Sequence, residues 1–250
     1  MKLFHTAAAL ALATAFAAPL GATDLAGMTD AERAAFGAEV RAYLMENPEV
    51  LMEAIAVLEQ RQQQAAVADD LALLQANADE ILNDPESWVG GNPEGDITVV
   101  EFMDYRCSYC RKAHDEVAEL ISSDGNIRFV VKEFPILGEQ SVLSSRFAIA
   151  VRQLAGDAAY KQAHDALMTL RGDTTKETLE RLAGELGLDA PAILARMEAP
   201  EVTAVIEANH ALAGRLQISG TPTFVIDETM VRGYVPLDGM RQIVEGQRKG

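Results

Sequence analysis

Apolar and polar positions along this chain follow several distinct rhythms. The first is a nearly continuous apolar run, Leu3 to Ala18, preceded by Lys2 and followed by Pro19, Gly21 and Ala22. That is the order of a secretory signal peptide, expected over residues 1–22, and the run is short for a membrane span. The second rhythm is helical. Thr29-Asp30-Ala31-Glu32 reads as a capping box, and Phe36, Val40, Tyr43 and Leu44 then share one face. Asn47-Pro48 ends that helix and starts another, carrying Leu51, Ile55 and Leu58, then Leu71, Leu74, Ala78 and Ile81 as far as Asp84-Pro85. As one helix, residues 48–82 would reach about 50 Å, and a thin apolar stripe of that length calls for a partner helix. Two shorter helices folded back on the same chain are the alternative. The expectation is a helical self-association segment over residues 23–86.

From residue 87 the rhythm changes again. Ile97 to Met103 is β-branched and aromatic, a strand pattern bounded by the glycines of 90–95. An amphipathic helix is expected over roughly 107–122, then a second strand, Ile127 to Glu133, with Lys132 inside it. Helical periodicity covers 141–154, 157–170, 176–186 and 190–216, the last broken near Pro200. This stretch is too long for a loop and predicts a helical insertion at about 139–216. Ile218 to Ile226 is a turn entering a strand, Val231 to Tyr234 a last strand, and Leu237 to Gln247 a closing helix.

Composition narrows the chemistry. The 250 residues carry a formal charge of -17. Such an acidic chain repels phosphate backbones, so nucleic acid is not an expected partner. Fourteen acids against three bases lie between residues 23 and 86, which concentrates the charge in the proposed association segment. No internal repeat and no phosphate-binding glycine loop is present. His114, His164 and His210 fall in helical stretches and read as ordinary residues, so no cofactor and no metal site is expected.

The only two cysteines are Cys107 and Cys110, which rules out a disulfide framework or a four-cysteine metal site. They stand where a strand hands over to a helix. Unpaired N–H groups and the positive end of the dipole stabilise a thiolate there. Two intervening residues, Ser108 and Tyr109, let the second sulfur come round one turn and close a redox-active disulfide. Cys107, nearest the helix start, is the expected nucleophile, and Cys110 the resolving thiol. Half a zinc site, an inert disulfide and a Cu(I)-carrying dithiol are the competing readings.

Four stretches together resemble the DsbA-like group of the thioredoxin superfamily. They are Val99 to Tyr105, Cys107-Ser108-Tyr109-Cys110, Lys132 to Gly138, and Gly220-Thr221-Pro222-Thr223-Phe224. The acidic segment before them, through Asn47-Pro48-Glu49-Val50-Leu51, resembles the N-terminal region of ScsC-like proteins. That group includes oligomeric disulfide isomerases linked to copper tolerance. The resemblance implies an α/β architecture: a thioredoxin fold over 87–250 with an inserted helical domain, preceded by an N-terminal α-helical oligomerisation segment, a trimer being favoured. It implies a periplasmic protein that forms or isomerises disulfides in unfolded or mispaired exported proteins. A membrane redox partner, a DsbD-like reductase or a DsbB-like oxidase, would set its direction. It makes Thr221–Pro222 a cis-proline loop facing the cysteines, and it makes Glu101 and Lys132 a buried pair beneath Cys110. Such a pair is read as a proton relay for the resolving thiol, with an edge-exposed salt bridge as the alternative. A monomeric dithiol oxidase and a Cu(I)-binding protein remain the alternatives.

Overall fold

The computed structural model describes residues 27–249, so the expected signal segment lies outside the described residues. The chain divides into two units, residues 1–60 and 61–250.

The first unit holds α1 (Asp30–Glu46) and the start of α2 (Glu49–Ala76). The capping box forms as expected: Thr29 N donates to the Glu32 carboxylate at 2.8 Å, and Glu32 N donates to Thr29 Oγ1 at 3.4 Å. Asn47 caps the C-terminus of α1, its backbone N–H and side-chain amide both donating to Tyr43 O. No residue of α1 is buried within the chain.

The second unit holds the rest. The long helix expected over 48–82 is broken at Asn77, which leaves helical geometry and donates its side-chain amide to Leu73 O at 2.8 Å. α3 (Ala78–Leu82) follows. The association segment expected over 23–86 contains the boundary between the two units. From Arg61 onward it belongs to the second unit, where Leu74 and Ile81 are buried against the sheet and Arg232 holds Asp70 in a bidentate pair at 2.5 and 2.7 Å.

The sheet contains β1 (Trp88–Gly91), β2 (Ile97–Met103), β3 (Ile127–Glu133), β4 (Thr223–Ile226) and β5 (Thr229–Arg232), in the order β1-β3-β2-β4-β5. β2 and β3 are parallel and joined through α4 (Ser108–Asp124); the other pairings are antiparallel. β1 was hidden by its glycines, which read as a turn. Gly91 sits at φ +68°, and a Cβ there would lie 2.3 Å from Ile127 O, so the pairing needs glycine at that position.

Between β3 and β4 run α5 (Glu139–Thr169), α6 (Lys176–Glu185), α7 (Ala190–Met197) and α8 (Pro200–Arg215). The two helices expected before 170 meet at Gly156, whose backbone is non-helical at φ 82° and separates them within α5. α9 (Leu237–Lys249) closes the unit. This is the thioredoxin architecture with its helical insertion.

Alternate side chains of the central strands feed two cores. Val99, Met103, Phe129 and Val131 point to the face covered by α4, α5 and α9. Val100, Phe102 and Val130 point to the face covered by α2, α3 and the end of α8. This parity decides where the titratable side chains go.

Candidate active site

Cys107 is the N-cap of α4, and Cys110 lies in its first turn with no exposed surface. Both are free thiols. As a thiol, Cys107 donates to Thr221 O at 3.2 Å. As a thiolate, it is held by the Cys110 S–H, by Thr221 and by the backbone N–H groups of Cys110 and Tyr109. These outweigh its partial burial and bring its pKa down to about 5. Cys110 is driven far above the ordinary thiol range by that same hydrogen bond, by burial and by the negative charge of Glu101. Two sulfurs one turn apart thus have opposite acidities.

The Thr221–Pro222 bond is cis, and the loop lies against Cys107. Tyr109 is 58% exposed and stacks on Tyr234 with ring centroids 6.1 Å apart. Lys112 Nζ sits 4.2 Å above the Tyr234 ring, and Tyr234 donates to Glu116 at 2.6 Å. Ser108 opens the helix and is exposed.

Glu101 is 3% exposed, and its Oε1 has no hydrogen-bond partner. Burial, the Cys107 charge and the Glu133 charge together raise its pKa to about 8, so it is mostly protonated at neutral pH.

Lys132 is not its partner. Lys132 pairs in register with Phe102, whereas Glu101 pairs with Val131. The two side chains therefore leave opposite faces of the sheet. Lys132 instead donates to Asp84 Oδ2 at 2.6 Å and Glu80 O at 2.8 Å, beneath α3. The expected Glu101–Lys132 relay pair is thus corrected: Lys132 ties α3 and the loop after it to the sheet and does not face the thiols.

Two further groups escaped the sequence reading. Asp104, fully buried, accepts from the N–H groups of Arg106, Ile136 and Leu137 and from the Ser141 hydroxyl, at 2.7–3.0 Å. It welds the turn before Cys107 to the segment after β3 and to α5. Glu133 accepts from the Tyr105 and Tyr160 hydroxyls at 2.8 and 2.7 Å. Burial nevertheless lifts its pKa to about 7. A charged residue ending an apolar strand was the available signal for Glu133. Asp104 offered none beyond its place in the motif.

Residues 98–245 match the model of the DSBA-like thioredoxin domain. The chain belongs to the DSBA-like thioredoxin domain family. Residues 32–65 match the copper resistance protein ScsC N-terminal domain, so both parts of the resemblance hold. Among solved structures, a thioredoxin-like oxidoreductase from Silicibacter pomeroyi is 45% identical, covering 69% of this chain and 98% of that one, TM-score 0.65. BcfH from Salmonella enterica Typhimurium is 31% identical, covering 86% and 95%, TM-score 0.71. A curated relative, the Na(+)/H(+) antiporter NhaA of Herminiimonas arsenicoxydans, is 27% identical over 67% of this chain. The chain spans only 27% of that antiporter's length and 25% of two further NhaA antiporters, but 76% of the disulfide bond formation protein D of Bacillus subtilis, to which it is 22% identical. Among the described residues, no helix of this DSBA-like chain is long and apolar enough to cross a membrane.

Proposed function

We propose that this chain is an exported, periplasmic thiol–disulfide oxidoreductase that rearranges disulfides in exported proteins, working as an oligomeric isomerase. The observation that carries the chemistry is the split in acidity between Cys107 and Cys110 at one helix start.

The Cys107 thiolate attacks one sulfur of a substrate disulfide. The substrate S–S bond breaks, its other sulfur leaves as thiolate, and a mixed disulfide on Cys107 forms. If a free substrate thiolate then attacks the substrate sulfur of that bond, Cys107 is released and the substrate holds a new pairing. If Cys110 attacks Cys107 instead, the substrate leaves reduced and the enzyme closes its own disulfide; the reverse sequence oxidises a substrate. Cys110 must lose its proton to attack. Ionised Glu101, facing the same core, is the acceptor in this reading, and its raised pKa suits it to return the proton. The Thr221–Pro222 loop beside Cys107 offers backbone groups to an extended substrate segment, and Tyr109 offers it an exposed ring.

The quaternary part rests on the first unit. Phe36, Val40, Tyr43, Leu51, Ile55 and Leu58 are each 40–55% exposed on α1 and α2. Such a run of large apolar side chains is stabilised by burial against further copies, three in this reading. Clustered dithiols hold one misfolded substrate, which favours isomerisation. An isomerase must be kept reduced, so the membrane partner required is a DsbD-like reductase.

The test is a scrambled-ribonuclease refolding assay on the intact protein and on a Phe36→Glu/Ile55→Glu variant, with solution mass measured for both. The intact protein should be oligomeric and recover ribonuclease activity. The variant should be monomeric and lose recovery while still oxidising dithiols. A monomeric intact protein, or isomerase activity untouched in a monomeric variant, rejects the oligomeric reading. Loss of all thiol chemistry in Cys107→Ser is expected, and its persistence rejects the nucleophile.

A further inference from the structure

One cluster of side chains takes no part in the thiol chemistry. His114 of α4 and the adjacent His164 and Asp165 of α5 present donor atoms that all lie within 4.8 Å of one another. His114 Nε2 stands 3.2 Å from Asp165 Oδ1, and the two imidazole rings are 5.3 Å apart. Both histidines line a cavity of about 490 Å³ that reaches the surface past α4.

The hydrogen-bond network prepares His164 as a ligand. The Tyr105 hydroxyl donates to Glu133, so its oxygen is left to accept, and it lies 3.1 Å from His164 Nδ1. The proton of His164 therefore belongs on Nδ1, and the lone pair on Nε2. Metal-binding histidines are oriented by an acceptor on the far ring nitrogen, and here the Tyr105 hydroxyl, fixed by Glu133, stands in that place. Burial also keeps both rings neutral, pushing His164 down to about 3 and lowering His114 as well, and neutral imidazole is the form that binds metal. The third member already holds a cation: Lys161 Nζ sits 2.5 and 2.7 Å from the two Asp165 oxygens. Lys161 is 44% exposed, and an ion of higher charge can displace it into solvent.

We propose that His114, His164 and Asp165 form a binding site for a divalent transition-metal ion of the Zn²⁺ or Cu²⁺ class, with the cavity supplying the open coordination position. Two imidazoles and a carboxylate suit those ions and are too few oxygens for Mg²⁺ or Ca²⁺. Donors around a tetrahedral ion sit about 3.3 Å apart, given metal–ligand distances of ~2.0–2.1 Å. The 3.2 Å pair already meets that spacing, and the remaining closure is within reach of His114 and Asp165, whose side chains are 15% and 42% exposed.

The test titrates ZnCl₂ or CuCl₂ calorimetrically into the full chain with the Cys107–Cys110 disulfide formed, which removes both thiols as competing ligands. MgCl₂ serves as the control. One ion per chain should bind, and the tighter of the two names the physiological class. His114→Gln should weaken binding by about tenfold or more. Lys161→Gln, which removes the competing ammonium, should tighten it severalfold. His210→Gln, on a different helix, should change nothing. Should buried His164→Gln fail to fold, the half-buried His114 and exposed Lys161 variants keep the proposal testable. No saturable binding of either ion up to about 1 mM, or equal affinity in the His114→Gln protein, overturns it.

Discussion

Replacing Glu101 by Gln removes one titratable group and changes little in shape. The carboxyl is 3% exposed, and its Oε1 has no partner, so the chain folds with a group that resists ionisation. Its pKa rises to about 8, against 4.5 when free. Between those values the folded protein keeps a proton that the unfolded chain has released. Stability must therefore fall as pH rises across that window, at about 1.4 kcal/mol per pH unit. Gln has no such slope. The stability of Glu101→Gln minus that of the parent should grow with pH, by about 3 kcal/mol between pH 5 and 7.5. Urea unfolding of both reduced proteins across that range measures it. The difference cancels the direct contributions of Cys107 and Glu133, which also titrate in this window but are present in both proteins. A gap that stays flat with pH would mean Glu101 is solvated or paired, and would remove the basis for the proton-acceptor role proposed for it.

Three other predictions are direct. The Cys107 thiolate absorbance should appear with a midpoint near pH 5, and its alkylation by iodoacetamide should level off above about pH 6; a midpoint in the ordinary thiol range refutes the helix-start account. Asp84→Ala should destabilise the protein by about 3 kcal/mol, since Lys132 is 1% exposed and loses its carboxylate. In double-mutant cycles measured by urea unfolding, Lys132→Met should couple strongly to Asp84→Asn and negligibly to Glu101→Gln; the reverse pattern would restore the Glu101–Lys132 pair.

Most of the second unit was legible because its signals are periodic. Ile97–Met103 and Ile127–Glu133 carry strand patterning so dense that their observed limits equal the expected ones. The helical insertion was punctuated by glycines and Pro200, which stand at the observed breaks. β1 was illegible for the opposite reason. Its pairing depends on two glycines that let Trp88 and the Ile127 backbone approach closely, and glycine in a sequence reads first as a turn. The division at residue 60 was equally hidden. Leu71, Leu74 and Ile81 continue the helical stripe of Leu51, Ile55 and Leu58, yet Leu74 and Ile81 pack against the sheet of their own chain. Periodicity states that a face is apolar, and it is silent on what covers that face.

The site shows the same limit more sharply. The CxxC pair needs only a strand, a turn and a helix start, and all three are local, so the sequence located both sulfurs. Pairing Glu101 with Lys132 required a long-range register, because a parallel neighbour brings residues to the same face only in step. With Glu101 opposite Val131, every odd residue of β2 shares its face with the odd residues of β3, and Lys132 is even. A shift of one residue would have joined the two charges, but it would also have turned Val130 and Phe134 away from Leu74 and Ile81. The apolar side chains outnumber the ion pair and fix the register. Lys132 then had to find its carboxylate on the other face, at Asp84, and Glu101 was left without a cation. That isolation in a buried site, rather than a salt bridge, is why the Glu101 pKa is raised to about 8 instead of being pulled down by a cation.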